Sequence, residues 1–257
     1  MKVVIFAGGL GTRLSEETSS KPKPLVEIGN MPILWHIMKI YSSYGLNDFI
    51  ICGGYKSSMI KDFFINYSRH VSDIQVNLVS DSIEISDAKK IEPWSIIIAD
   101  TGLDSLTAKR LKLIECYIDS DDFCLTYGDG LANVDINELI DFHKCHGKLA
   151  TVTAVKPKPR FGALKVSESN QVISFLEKTM DSENLINGGF FVLKRDIFAR
   201  LPDRNVAWEQ EPLRLLASEG ELMAYLHHGF WQPMDTLSEK IELNNLWKGD
   251  CPPWKTW

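Results

Sequence analysis

A run of apolar residues that stops on glycines opens the chain: Val3-Val4-Ile5-Phe6-Ala7, then Gly8-Gly9-Leu10-Gly11-Thr12-Arg13-Leu14. No polar residue interrupts the first four, so neither face of such a strand can meet water. It belongs inside a sheet covered on both sides. Glycines at 8, 9 and 11 then let backbone N–H groups converge on an anion without interference from Cβ atoms. Arg13 adds a fixed, planar charge able to grip phosphate oxygens as a fork. The loop is not a P-loop, because GxxxxGK[ST] does not occur. Nor is it a dinucleotide fingerprint, because no third glycine follows Gly9 and Gly11. A plain glycine-rich turn between strand and helix is the competing account of the glycines alone.

Strand-length apolar runs alternate with helical patterns along most of the remaining chain. Pro32 opens a helix in which Leu34, Ile37, Ile40, Tyr41 and Tyr44 recur at steps of three and four, and Gly45 closes it. Residues 48–52 read as a second buried strand, 59–67 as a helix and 75–79 as a third strand. Residues 80–104 lack a clear period and suggest short edge strands or a hairpin. Helical spacing returns over 107–117. A buried strand at 123–126 then ends in Tyr127-Gly128-Asp129-Gly130. Asp135 caps a helix over 136–146 that Gly147 closes, and 149–155 alternates as a strand should. Further strands are expected at 163–166, 172–176 and 190–193, with helices near 196–201, 212–219 and 236–247. The pattern predicts one α/β domain over residues 1–257, a Rossmann-like mixed, mainly parallel sheet flanked by helices.

Composition excludes several classes. Lys plus Arg number 28 and Asp plus Glu 34 among 257 residues, a net charge of −6 without a basic block. No nucleic-acid partner and no anionic membrane partner is therefore expected. The five cysteines contain no CxxC pair, which argues against a zinc framework. With no signal peptide at the start, they point to a reducing, cytoplasmic location. No run approaches the roughly 20 apolar residues of a membrane helix.

Other residues carry chemistry. In Lys21-Pro22-Lys23-Pro24-Leu25 the two prolines stiffen the backbone around Lys23, as suits a point charge aimed at a phosphate; a surface loop that merely avoids helix would look alike. Asp129 follows a buried strand at its carboxyl end, where open α/β sheets place ligands. Asp235, in Trp231-Gln232-Pro233-Met234-Asp235-Thr236, is its candidate partner for Mg²⁺, although on the residues alone capping the helix that follows is the better account of its position. Glu209 and Glu211 could bind sugar hydroxyls or be ordinary residues before Pro212. His143 and His146 share one helix side, with a solvated helix end as the default. Trp35 and Met38 are read as core. Trp247, Trp254 and Trp257 beside Pro252-Pro253 look too apolar for a free tail and suggest an interface.

AGGLGTRL followed by KPKPLVEIGNMPILWH resembles the opening of the sugar-phosphate nucleotidyltransferase family, GGxGTRL…PKP. DFIICGGY at 48–55, EPW at 92–94, TYGDG at 126–130, RFGAL at 160–164, NGGFFVL at 187–193, WEQEPL at 208–213, GFWQPMDTL at 229–237 and PWKTW at 253–257 extend the likeness over nearly the whole chain. They resemble the members that act on CTP and α-D-glucose 1-phosphate. The resemblance implies the nucleotide-diphospho-sugar transferase fold, with a nucleotide-binding half about 1–130 and a sugar-phosphate-binding half about 131–257. It implies Arg13 and Lys23 as catalytic cations. Phe6, Ala7, Gly8, Gly9, Leu10, Gly11, Thr12, Arg13, Lys23, Ser105, Arg110 and Gly128 would contact the nucleotide. Glu177, Lys178, Asn187 and Gly188 would contact the sugar phosphate, and Asp129 and Asp235 would hold Mg²⁺. Thr179 stands where the family's EKP motif has proline, and Ala108 and Lys109 stand where related sequences have glycines. A strand-initiating turn is the other account of Asn187-Gly188-Gly189. The product would feed deoxyhexose and O-antigen synthesis. A homo-oligomer is expected, with a hexamer among the candidate sizes. The same chemistry with UTP or dTTP, and a non-catalytic nucleotide-sugar sensor of the same fold, are the alternatives.

Overall fold

Successive residues of a strand face opposite ways, so a strand apolar at every position needs cover on both faces. The computed structural model describes residues 1–86, 91–157, 163–167, 171–176 and 185–257 and provides that cover. Seven strands among the described residues form one sheet: β1 (Val3–Ala7), β2 (Asp48–Gly53), β3 (Ser95–Asp100), β4 (Asp122–Tyr127), β5 (Ala150–Val155), β6 (Ile186–Lys194) and β7 (Leu222–His227). Their order across the sheet is β7-β5-β6-β4-β1-β2-β3. Neighbours run parallel except at β6, which is antiparallel to both β4 and β5. This is the mixed, mainly parallel sheet expected from the pattern.

The helices are α1 (Ile33–Ser42), α2 (Ser57–Ile65), α3 (Thr107–Leu113), α4 (Ile136–His146), α5 (Glu211–Ser218) and α6 (Leu237–Trp247). Val3, Ile5, Phe49, Ile51 and Cys124 bury one face of the sheet under α1, α4 and α6, which contribute Ile37, Leu139 and Leu243. Val4, Phe6, Ile50, Cys52 and Leu125 bury the other face under α3 and α5, through Leu111 and Leu216. The Asp135 side chain accepts from the Glu138 N–H at 3.0 Å, and Gly147 closes α4 at φ 66°, as read from the sequence.

Five features differ from the expectations. The third strand is Asp73–Asn77, paired with Ser82–Ser86 in a hairpin outside the main sheet. Its apolar residues alternate with polar ones, Ile74 opposite Ile85 and Val76 opposite Ile83, so it has only one face to bury. Strand β7 was not anticipated. Residues 195–200 form a 3-10 turn in place of an α-helix. His143 is fully buried rather than at a solvated helix end, because α4 packs it against Thr151 of β5. The aromatic C-terminus folds onto its own chain. Trp254 is fully buried, stacked on Phe230 and Trp247 and edge-on to His36, which removes the apolar tail as a reason to expect an interface.

The topology fixes where a ligand can sit. From β1 the chain builds outward through β2 to β3, then returns to place β4 on the opposite flank of β1. That reversal opens a crevice beyond the carboxyl ends of β1 and β4, the usual ligand position in open α/β sheets.

Candidate functional site

The glycine loop leaves β1 at that crevice, and its shape depends on close approach. Gly11 has φ 65°, and a Cβ there would lie 2.8 Å from the Thr18 methyl. The Thr18 hydroxyl donates to the Gly11 carbonyl at 3.0 Å. A Cβ on Gly8 would lie 2.3 Å from the Arg110 guanidinium. Arg110 itself is buried. It donates to the carbonyls of Gly8, Gly53, Gly102 and Leu103 and to the Thr101 hydroxyl, at 2.6–3.2 Å. One cation thereby ties together the carboxyl ends of β1, β2 and β3 behind the loop. The Gly8 carbonyl also accepts from the Tyr55 N–H at 3.2 Å, so both its lone pairs are taken.

Lys23 is positioned from the other side of the crevice. Pro22 is extended, and a 3-10 turn over Lys23–Leu25 buries Pro24 and Leu25 while turning Lys23 inward. The Lys23 ammonium donates to Asp129 at 2.5 Å and to Asp235 at 2.6 Å, and Arg13 pairs with the second oxygen of Asp235 at 2.7 Å. A short antiparallel ladder unites the two carboxylates. Gly130 lies opposite Pro233, Leu131 opposite Gln232, and the Met234 N–H donates to the Asp129 carbonyl at 2.8 Å. Burial alone would lower the pKa of Lys23, but its two carboxylate partners overcome that and hold it above the ordinary lysine value. Asp235 does not cap α6. Thr236 does, in a capping box with Glu239, which leaves both Asp235 oxygens for Lys23 and Arg13.

A cleft of about 420 Å³ gathers most of the anticipated residues: Phe6, Ala7, Gly8, Gly9, Gly11, Thr12, Arg13, Lys23, Ser105, Arg110, Gly128 and Asp129. Asp235 borders it through Lys23 and Arg13. Leu10 is 53% exposed and does not line it. Asn187 and Gly188 stand off the cleft: Asn187 donates to the Tyr127 hydroxyl at 3.0 Å, and the Gly188 carbonyl accepts from the Trp231 indole at 2.7 Å. Glu177 and Lys178 lie outside the described residues. Glu211 turns away to pair with Arg204. Tyr127, Thr107 and Glu209 line the cleft and were not assigned to it from the sequence. Tyr127 had a usable signal, since it precedes Gly128-Asp129 at the end of a buried strand.

Two carboxylates that reach the same ammonium are close enough to share one cation. Mg²⁺ commonly takes one or two carboxylates and completes its shell with phosphate oxygens and water. Among the described residues no group of three or more ligating side chains forms a standing metal cage. Asp129 and Asp235 thus suit an ion that arrives with a phosphate.

The nucleotidyl transferase family model matches residues 2–244. The chain is 54% identical to the glucose-1-phosphate cytidylyltransferase of Salmonella typhi, and 46% identical to a protein described as a probable glucose-1-phosphate cytidylyltransferase in Bacillus subtilis. Both chains are covered in full in each case. Among solved structures, HddC from Yersinia pseudotuberculosis superposes with a TM-score of 0.70 at 23% identity, covering 96% of this chain and 99% of that one. A UDP-glucose pyrophosphorylase bound to UDP-glucose gives 0.68 at 18% identity over 96% and 98%. At such identities the two structures speak for the fold. With its glycine loop, its fold and most of its length matched, the chain belongs to the nucleotidyl transferase family.

Proposed function

We propose that this chain joins CTP and α-D-glucose 1-phosphate to give CDP-glucose and pyrophosphate, with Mg²⁺, as a cytoplasmic enzyme supplying deoxyhexose and surface-polysaccharide synthesis. One observation carries the reading. Arg13, Lys23, Asp129 and Asp235, from four separate segments, converge in a single ion-paired cluster beside a glycine loop. The full-length likeness to cytidylyltransferases supports the choice of substrates.

The chemistry asks little of a general base. A sugar phosphate has its second pKa near 6, so the nucleophile is already largely a dianion at neutral pH. The obstacle is bringing two polyanions together. Backbone N–H groups of the Gly8–Gly11 loop and the Arg13 guanidinium neutralise triphosphate oxygens. Lys23, held protonated, stabilises charge growing on the reacting phosphoryl group. Asp129 and Asp235 would hold Mg²⁺, which supplies further neutralisation of phosphate oxygens. The protein's share is to align the attacking oxygen, the α-phosphorus and the departing pyrophosphate.

Assembly with copies of itself belongs to the same reading. Its support is the hairpin of Asp73–Asn77 and Ser82–Ser86, where Ile74, Val76, Ile83 and Ile85 are each 43–49% exposed on a shared apolar face. Light scattering tests it: an oligomeric mass is expected, and a monomer at micromolar concentration contradicts it. The activity is tested by mass spectrometry of a reaction holding CTP, glucose 1-phosphate and Mg²⁺. CDP-glucose and pyrophosphate in equal amounts, abolished by chelation, is the expected result. Absence of both products from folded protein refutes the reading.

A further inference from the structure

One more carboxylate lines the cleft, and the phosphate chemistry does not use it. Glu209 is exposed there, and two hydrogen bonds orient it: the Tyr127 hydroxyl donates to Oε1 at 2.7 Å and the Thr107 hydroxyl to Oε2 at 2.8 Å. Both donors are fixed from behind. Asn187 donates to the Tyr127 hydroxyl at 3.0 Å, and the Trp208 N–H to the Thr107 hydroxyl at 2.7 Å.

A carboxylate has about four acceptor sites, two on each oxygen. Each Glu209 oxygen therefore keeps a lone pair for a ligand. Phosphate is repelled there, and a hydrogen-bond donor suits the position. The sheet order says which part of the reactants that is. Asn187 lies on β6, Tyr127 and Asp129 at the end of β4, and the Gly8–Arg13 loop at the end of β1, and these strands are neighbours in that sequence. In an in-line displacement the leaving and entering groups lie on opposite sides of the phosphorus. With pyrophosphate leaving over the β1 loop and the α-phosphorus near Asp129, the sugar phosphate enters from the β6 flank, where Glu209 is tied through Tyr127 and Asn187.

We infer that Glu209 is a specificity-determining residue that accepts hydrogen bonds from hydroxyl groups of the hexose ring, an inference that rests on the proposed function above. The test compares kcat/KM for glucose 1-phosphate and each of its monodeoxy analogues, in the wild-type enzyme, Glu209→Ala and Glu209→Gln. At least one deoxy analogue should lose about tenfold to a hundredfold in the wild type, the usual cost when a bound ligand covers an acceptor and leaves it unpaired. The same analogue should lose less than about threefold in Glu209→Ala, with Glu209→Gln, which keeps one acceptor, between the two. The preference for CTP over dCTP should not change. Equal losses in wild type and Glu209→Ala for every analogue overturn the inference, as does a changed CTP to dCTP ratio in place of a changed hexose ratio. No turnover of CTP with glucose 1-phosphate by the wild type overturns the parent reading and this one together; normal wild-type turnover with equal losses overturns this one alone.

Discussion

Strand β4 carries a polar cluster at each end, and the two are built on opposite principles. Beyond its carboxyl end, Lys23, Arg13, Asp129 and Asp235 are ion-paired around an open cleft. At its amino end, Asp122, His143, Thr151 and His146 form a chain that holds its histidines neutral. The Lys148 N–H donates to His146 Nδ1 at 2.9 Å, so His146 carries its proton on Nε2 and donates to the Thr151 hydroxyl at 2.7 Å. That hydroxyl donates to His143 Nδ1 at 2.8 Å, which turns the His143 Nε2 proton toward Asp122 at 3.6 Å. The Nε2 proton of the buried His143 meets no acceptor within hydrogen-bond distance and faces the Asp122 carboxylate across that gap. A cluster packed between a helix and a strand holds the fold. A cluster of charges facing a cleft can exchange partners, and only the latter can do chemistry on phosphate.

The largest effect should come from the first cluster. Lys23→Ala is expected to lower turnover by on the order of 10²–10³, the usual loss for one preorganised donor, with the circular dichroism spectrum unchanged. Wild-type turnover in the folded variant would break the assignment of the cluster to catalysis.

The second cluster should govern stability and its pH dependence. His143 titrates near pH 4, because burial disfavours its cation against the pull of Asp122, with His146 and Lys194 adding repulsion. An unfolded chain takes up the same proton near pH 6.5. Its contribution is therefore complete above pH 6.5 and is lost as the pH falls toward 4. Denaturant unfolding should show His143→Asn less stable at pH 7 but losing less on acidification, with kcat at pH 7 unchanged. Equal acid sensitivity in both proteins would remove the histidine chain as the cause.

A smaller effect sharpens the metal half of the first cluster. Asp129→Ala and Asp235→Ala should each raise the Mg²⁺ concentration for half-maximal rate, about tenfold or more. An unchanged Mg²⁺ dependence in a folded variant would leave these carboxylates only the task of holding Lys23.

The two clusters also differ in how far the sequence exposes them. Lys23, Arg13, Asp129 and Asp235 sit beside prolines, glycines and strand ends, where local chemistry shows. What the sequence hides is the Gly130–Ala132 ladder with Trp231–Pro233 that joins segments about a hundred residues apart. His143 looked solvated because an i, i+3 pair says nothing of the strand packed against it. Glu209 stayed undecided because its partners, Thr107 and Tyr127, lie far away in the chain. The C-terminal tryptophans are apolar as their sequence suggests, and the cover of Trp254, His36 and Phe230, comes from the same chain. The sheet was legible because buried strands are local patterns. The strand at 73–77 pairs in a hairpin outside the sheet, because period alone does not report which partner a strand finds.

The central claim is most directly tested by pyrophosphate release from CTP, UTP and dTTP, each with glucose 1-phosphate and with mannose 1-phosphate. Cytosine offers an exocyclic amine where uracil has a carbonyl, so a site built to receive the amine leaves an acceptor unpaired with UTP. That costs about 1–3 kcal/mol, roughly ten- to a hundredfold in kcat/KM. The account predicts CTP with glucose 1-phosphate as the best pair, with UTP a detectable second substrate weaker by about that factor. Equal rates with CTP and UTP, or a preference for dTTP, would contradict the cytidylyl assignment. No release from any pair would contradict the catalytic one.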